Sequence, residues 1–546
     1  MEFQRTLAVN LSAERNWRSH AATLLRAPLL SSPRIAALTL ALAALVAVRA
    51  PAFAASKTLA AGATLTLTED LILTGTDMLA VNGTLAQRCT ITAINGARIV
   101  SDSAWTGGAR IRHCDFKNVG TANSEALKLR ATGTNALAIA HCTFDACGQV
   151  RLSTANASTF DFRANTIREN CLVPVNHLRG DCRPSFLGEC HGPGKKVFAG
   201  NHVYKALCDF SGDNLLIGGD CDEDSNFLVG MRCGLTLAGG RIRVARNYIH
   251  TLYENGWSQV ANIEAGQPAH ALIEDNILHM GEWVVRSLTG ELRNNVILDM
   301  NGHNWVIGPK ANAKIHHNIF ARYVTWDKNK NGGISIVYAG EGIEIYNNTF
   351  DGGGTEKSFD VPVIEVPAAE EKVSATGEVL RVERQLASLR NNVFYNFFLR
   401  YPAVNVSTYG KEKFSATHKP ARLGYADYNC FFNPDSPVRQ NYALSVTGKS
   451  ERKDAGFALH DLPRAGAMDA QVDPQFAGPI PREFPWTDAE IKGGKVSVGQ
   501  MLEVYRRAYA PAPGSPLLAA GDPADGPGTN IGAVPPGQNA KSAPGK

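Results

Sequence analysis

Residues 241–250 read RIRVARNYIH, and the same phrase returns as ALIEDNILHM at 271–280, ELRNNVILDM at 291–300, AKIHHNIF at 313–320 and IEIYNNTF at 343–350. In each, large apolar residues alternate with polar or small ones, the two-residue period of a strand with one face in a core. An Asn ends the alternation. Working outward, the phrase is RANTI at Asn165, AGNHV at Asn201, RNNVF at Asn392 and DYNCF at Asn429, while RHCDF and AHCTF put Cys114 and Cys142 where the others have Asn.

Successive steps from Asn247 are 29, 19, 23, 30, 44 and 37 residues. The shorter steps match one turn of a coil built from three short strands and three bends, and the longer ones are the same turn with residues inserted. Helical repeats would need apolar residues at i, i+3, i+4 and i+7, and leucine-rich repeats a Leu framework; neither is present. Asn suits a bend, tolerates left-handed backbone geometry and can bond to its counterpart one coil away, so an internal Asn ladder is expected. A second recurrent strand (CGLTLAGG at Cys233, GWSQVANIE at Gly256, EWVVRS at Glu282, HNWVIGP at His303, GGISIVYAG at Gly332) should stack into one parallel sheet whose outer side forms a binding surface.

These phrases, with the closing segment Gly514-Ser515-Pro516-Leu517 through Gly521-Asp522-Pro523 to Ile531-Gly532-Ala533, resemble right-handed parallel β-helix repeat proteins of the pectate-lyase-like superfamily. The resemblance implies an all-β, single-stranded solenoid with inserted loops and a C-terminal cap. It says little of activity, since that superfamily holds lyases, hydrolases, epimerases, adhesins and tail spikes.

Five Arg (5, 15, 18, 26, 34) precede an apolar run at 35–48 and Ala52-Phe53-Ala54, so residues 1–54 read as a signal peptide, too short in its apolar part to span a bilayer comfortably. Residues 55–435 are then the β-helix, and 436–546 a cap with a helix near Val496–Tyr509 and a Pro/Gly-rich tail. The expected location is secreted, periplasmic or at the cell surface. Without residues 1–54 the chain has 49 basic and 49 acidic residues, so no global field holds nucleic acid or an anionic membrane, and no phosphate loop or dinucleotide fingerprint occurs. Six cysteines (171, 182, 190, 208, 221, 233) crowd one stretch, which in an oxidising compartment reads as a disulfide-stapled excursion.

Reactive and aromatic residues concentrate between about 250 and 330. Flat indole faces suit pyranose rings, which makes Trp257, Trp305 and Trp326, with His303 and Arg322, candidates for binding a polysaccharide; for Trp305, on a strand, burial in the core is the competing reading. β-Elimination of a uronate polymer needs a base and a positive charge beside the substrate carboxylate, and related β-helix lyases divide the work in that way. Arg286, Lys310 and Lys314 are the candidates here, with Glu254 and Glu282 as acid or metal groups. Hydrolysis would instead need two carboxylates flanking the bond. Asp220-Cys221-Asp222-Glu223-Asp224 alternates carboxylates as a Ca²⁺ site does, but without the Gly and Glu of an EF-hand loop; a solvated acidic turn is the other reading. The function expected is cleavage of an extracellular polysaccharide; the alternative is a non-catalytic glycan-binding or adhesion protein.

Overall fold

The computed structural model describes residues 56–534, apart from 169–183, 206, 231–232, 253–258, 264–269, 282, 301–306, 310–311, 324–336, 339–341, 354–362, 367–369, 374–378, 383–384, 398–402, 410–421, 435–441 and 448–465. Among them, three parallel sheets of fourteen strands each wind in rotation, so every third strand adds to the same sheet, apart from one inserted antiparallel hairpin (Glu370–Val373 with Val379–Val382). This is the right-handed parallel β-helix. Sheet A runs from Ser56–Leu59 to Arg422–Asp427, sheet B from Thr64–Leu67 to Cys430–Phe432, and sheet C from Leu71–Leu73 to Tyr442–Thr447. The solenoid thus starts almost where the expected signal peptide ends and continues past residue 435 into what reads from sequence as cap.

Inward side chains from all three sheets form one continuous core, with ring stacks such as Phe320–Phe350–Phe394–Phe431 rising one coil at a time. The corner between sheets A and B is tight. From Arg241–Ala245 onward, two residues separate each sheet A strand from its sheet B successor. The first carries the left-handed turn (Arg246 φ 58°, Asp275 φ 55°, Asn294 φ 57°, His317 φ 55°, Asn347 φ 51°, Asn391 φ 58°) and the second is the ladder Asn. The Asn of the repeat is therefore not the left-handed residue. Its predecessor turns the chain, which frees the Asn side chain to bond inward.

Each ladder Asn accepts two bonds from the Asn before it. Asn276 Oδ1 takes the Asn247 amide at 2.8 Å and Asn247 Nδ2 at 2.9 Å, while its own Nδ2 donates to Asn295 Oδ1 and the Val244 carbonyl, both at 3.0 Å. The ladder also includes Asn226, hidden in the sequence behind an inserted turn, and ends on Asp469 from the C-terminal segment, whose Oδ1 accepts the Asn429 amide at 2.7 Å. On the N-terminal side it gives way to stacked Cys142, Cys114 and Cys89.

No disulfide staples the described part of the cysteine-rich stretch. Cys190, Cys208 and Cys233 lie on regular sheet C strands, and Cys190 pairs in register with Gly212 while Cys208 pairs with Phe186 and Leu235. Cys190 and Cys208, four residues out of register, cannot bridge, and no disulfide joins two described cysteines; Cys171 and Cys182 lie outside the described residues.

The C-terminal segment, 466–534, lies back along the solenoid. Helix α1 (Asp488–Lys492) and helix α2 (Val498–Ala508) press Ile491, Val498, Met501, Leu502 and Tyr505 onto the outer side of sheet B, against Phe227, Val229, Ile277, Val296 and Ile319. No described helix is long and apolar enough to cross a membrane, and residues 1–55 lie outside the description.

Candidate functional site

The three outer faces differ in what they leave open to a ligand. Sheet A carries a lattice of ion pairs that satisfies itself. Arg243 binds Glu274 at 2.6 Å, Glu274 binds Arg293 at 2.6 Å, Arg293 binds Glu291 at 3.0 Å, and Glu291 meets His316 Nε2 at 2.8 Å. Burial lowers the pKa of His316, with Glu291 pulling the other way. Lys314 lies in this lattice, 3.6 Å from Glu344.

Sheet B is covered. Beneath α1 and α2 runs a buried polar chain: Tyr248 donates to Asp488 at 2.9 Å and meets His279 Nδ1 at 3.0 Å, and His279 Nε2 meets Asp299 at 2.8 Å. Arg322 holds both Asp299 oxygens at 2.7 Å and reaches the Tyr505 hydroxyl at 3.1 Å. Stacked bulges present these groups, since Met280, Asp299 and Arg322 take left-handed conformations in successive coils (φ 51°, 50°, 57°). Burial opposes the charge of Arg322, but the two Asp299 bonds outweigh it and its pKa is raised; burial likewise lowers His279. Arg322, expected to bind substrate, is 7% exposed and is committed to fastening the C-terminal segment.

The acidic turn serves the same seam. Asp220 pairs with Arg243 at 2.6 Å, Asp224 with Arg163 at 2.6 Å and Asp222 with Arg246 at 2.7 Å, so the three carboxylates face three different guanidinium groups. Asp222 also accepts the Gly499 amide at 2.9 Å, in the first turn of α2, where an anion is favoured by the helix dipole. A Cβ on Gly499 would lie 2.2 Å from the Arg246 guanidinium, which is why the helix carries glycine there. This donor set does not fit Ca²⁺, which needs several oxygens turned to one point, and no three His, Cys, Asp or Glu side chains converge in that way among the described residues.

Sheet C remains. The recurrent strands singled out in the sequence stack there in order: Cys233–Ala238, Gln259–Ile263, Trp283–Leu288, Ile307–Pro309 and Val337–Tyr338. One row of register positions runs Lys128, Arg151, Leu187, Asp209, Thr236, Asn262, Arg286. Arg286 is exposed, and directly after it the register shifts and Ser287 takes φ 57°, a bulge of the kind that re-aims side chains beside binding sites. The chain's long connections also begin or end on strands of this sheet. Residues 252–258, 301–306, 324–336, 352–363, 396–403 and 433–441 enter sheet C from sheet B, and 264–269, 367–384 and 410–421 leave it for sheet A.

The candidates Arg286, Lys314 and Arg322 therefore sit on three different faces, and the structure does not bring them together. Lys310, Glu254, Glu282, Trp257, His303, Trp305 and Trp326 lie outside the described residues. In the chain, Lys310 directly follows the sheet C strand Ile307–Pro309, Glu282 directly precedes Trp283–Leu288, and the other five fall in connections entering sheet C. Sequence reasoning did not single out Tyr248, Asp299, Asp488 and Tyr505 of the seam. A signal was present: the sheet B strands FLVG, YIHT, VILDM and IFARY are apolar without alternation, as strands covered on both faces are.

No protein-family model matches the chain, and no curated protein does. Among solved structures, the PL6 family polysaccharide lyase Pedsa3628 from Pseudopedobacter saltans is 12% identical, with a TM-score of 0.33, over 80% of this chain and 98% of that one. A mannuronic acid specific polysaccharide family 6 lyase from human gut microbiota is also 12% identical, with a TM-score of 0.32, over 83% of this chain and 91% of that one.

Proposed function

We propose that the chain is an exported carbohydrate-active protein that binds an acidic polysaccharide along sheet C and cleaves it by β-elimination. The observation that carries this reading is the asymmetry of the three faces. From Arg241–Ala245 onward sheet A pairs its charges largely with one another, sheet B is covered from Phe227 onward, and every long connection from residue 252 onward begins or ends on a sheet C strand. A polymer needs a long groove rather than a pocket, and loops on a rigid scaffold are where binding groups gather.

In this reading Arg286 pairs with the substrate carboxylate, which acidifies the proton on the neighbouring carbon. A base removes that proton, its electron pair forms the carbon–carbon double bond, and the glycosidic oxygen departs and is reprotonated. Lys310, at the end of the next sheet C strand in the chain, takes the role of base. Lys314 and Arg322 have no part in it, being fixed on the other two faces. No step is routed through Ca²⁺.

The test is a screen of residues 55–546 against uronate-containing and neutral polysaccharides, following absorbance of the unsaturated product together with reducing ends. Rising absorbance on a polyuronate supports the reading, and Arg286→Ala should then lower kcat/KM by about 10²-fold or more with the fold intact. Reducing ends without absorbance would replace elimination by hydrolysis. Binding without turnover would make the chain a glycan-binding surface protein.

A further inference from the structure

Arg286 stands where sheet C loses its regular register. Side chains of a regular strand alternate between the two faces, so residues 285 and 288 could not both point into the core. Val285 and Leu288 nevertheless both belong to it. The strand Trp283–Leu288 meets both demands with a bulge: Val285 faces Ile307 and Leu288 faces Pro309, so Arg286 and Ser287 together stand opposite the single residue Gly308. Ser287 takes up the extra residue in a left-handed conformation, φ 57°, and is the only non-glycine residue of any described sheet C strand to do so. The two preceding strands, Cys233–Ala238 and Gln259–Ile263, cross the sheet without such a turn. Left-handed backbone is unfavourable for a residue with a Cβ, and where it is kept in defined structure it clusters at functional sites. Gly308 also offers no side chain to pack against Arg286 from the following coil, so more of the guanidinium's aim rests on the backbone that carries it.

We infer that Ser287 is a positioning residue: its left-handed turn aims Arg286 at the substrate carboxylate, and it acts through its backbone conformation, not through its hydroxyl. This deepens the function proposed above and rests on it. A bulge bends the strand, increases its local twist and swings the side chains beside it. Direction matters for Arg286, because a planar guanidinium has to meet a planar carboxylate edge to edge. A misplacement of about 1 Å can cost on the order of 10²-fold in rate. A residue at 287 that resists the left-handed conformation pulls the strand back toward regular alternation and turns Arg286 away from the ligand.

The experiment is a double-mutant cycle of Ser287→Val with Arg286→Ala, with Ser287→Gly as the conservative variant. Val is branched at Cβ and resists the left-handed conformation, whereas Gly adopts it and carries no hydroxyl. The probes are polymannuronate and polygalacturonate, followed as kcat/KM, or as Kd where binding occurs without turnover, on proteins whose circular dichroism matches wild type. Ser287→Val should lower kcat/KM or affinity about tenfold, Ser287→Gly should restore it to within about twofold of wild type, and Ser287→Val should add less than about twofold once Arg286 is Ala. If Ser287→Val does not fold, Ser287→Ala takes its place with the same order expected; if Arg286→Ala falls below detection, the comparison with Ser287→Gly decides. A Val variant no worse than the Gly variant, or a loss by the same factor with and without Arg286, overturns the positioning role while the function assigned to sheet C stands. A wild-type protein that neither binds nor cleaves either probe overturns that function, and this inference with it.

Discussion

Replacing Asn276 by Ala removes one rung from the middle of the Asn ladder. The backbone N–H of Asn247, fully buried, loses Asn276 Oδ1, its hydrogen-bond acceptor at 2.8 Å. Asn247 Nδ2 keeps the carbonyls of Ile217 and Ala245, both at 3.0 Å, so it is weakened but not orphaned. The carbonyls of Val244 and Glu274 each lose one donor, and Asn295 Oδ1 keeps the amide of residue 276. One orphaned buried donor costs roughly 1–3 kcal/mol and the four other lost bonds about 0.5–1.5 kcal/mol each, giving about 3–9 kcal/mol in total. In a quasi-one-dimensional stack the damage should stay near coils 8 to 10 from the start of sheet A. Urea unfolding combined with amide exchange is the assay: the transition moves by that amount, and the amide of Asn247 loses protection while that of Asn392 keeps it. A loss below ~1 kcal/mol, or deprotection spread evenly over the ladder, would refute the account of the corner as hydrogen-bonded rung by rung.

Three other outcomes are expected. Burial raises the Asp469 carboxyl to about 6, so its protonated form favours the folded state, and that contribution, on the order of 3 kcal/mol, is present below the ordinary carboxyl value and lost as pH rises through about 6; Asp469→Asn should flatten stability between pH 4 and 7. Arg322→Met leaves Asp299 buried without its guanidinium, a loss of about 3–5 kcal/mol that limited proteolysis should report as cleavage within 466–534 before the coils are cut. The seam also weakens in acid. His279 lies below its ordinary 6.5 because of burial, while Asp299 and Asp488 are held down by their hydrogen bonds against the effect of burial, so closing the seam releases protons; amide protection of α2 should be full above pH 6.5 and decline below it. A fifth expectation concerns the sulfur stack: burial holds Cys142 up to about 12, so Cys89, Cys114 and Cys142 should react with a thiol reagent only after denaturation.

The repeat and its three-strand coil were legible because period-two alternation and a bend residue are local properties. The sheet C strands were legible for the same reason. The left-handed turn was misassigned by one residue, since Asn tolerates that conformation in isolation, whereas here an inward bond fixes Asn247 and leaves the turn to Arg246. Grouping Arg286 with Lys314 failed because proximity in sequence does not determine the face. Each coil turns through three sheets, and residues 28 apart landed on sheets C and A. The acidic turn looked like a cation site until its partners were known; those partners, Arg163, Arg243 and Arg246, come from other strands, and Gly499 from a helix 277 residues away.

That last distance bears on how the chain is made. Tyr248 waits for Asp488, 240 residues downstream, and Asp222 for Gly499, 277 residues downstream, so the outer side of sheet B is finished only long after its strands have emerged. Coils can close one upon another as they are synthesised, through neighbours only a few dozen residues apart, but their Phe227, Val229, Ile277, Val296 and Ile319 then stand exposed beside parallel strands. A product truncated before residue 498 would be an almost complete solenoid with an oily flank. Quality control that recognises exposed apolar surface would thereby detect a missing C-terminus from the middle of the molecule, far from the break.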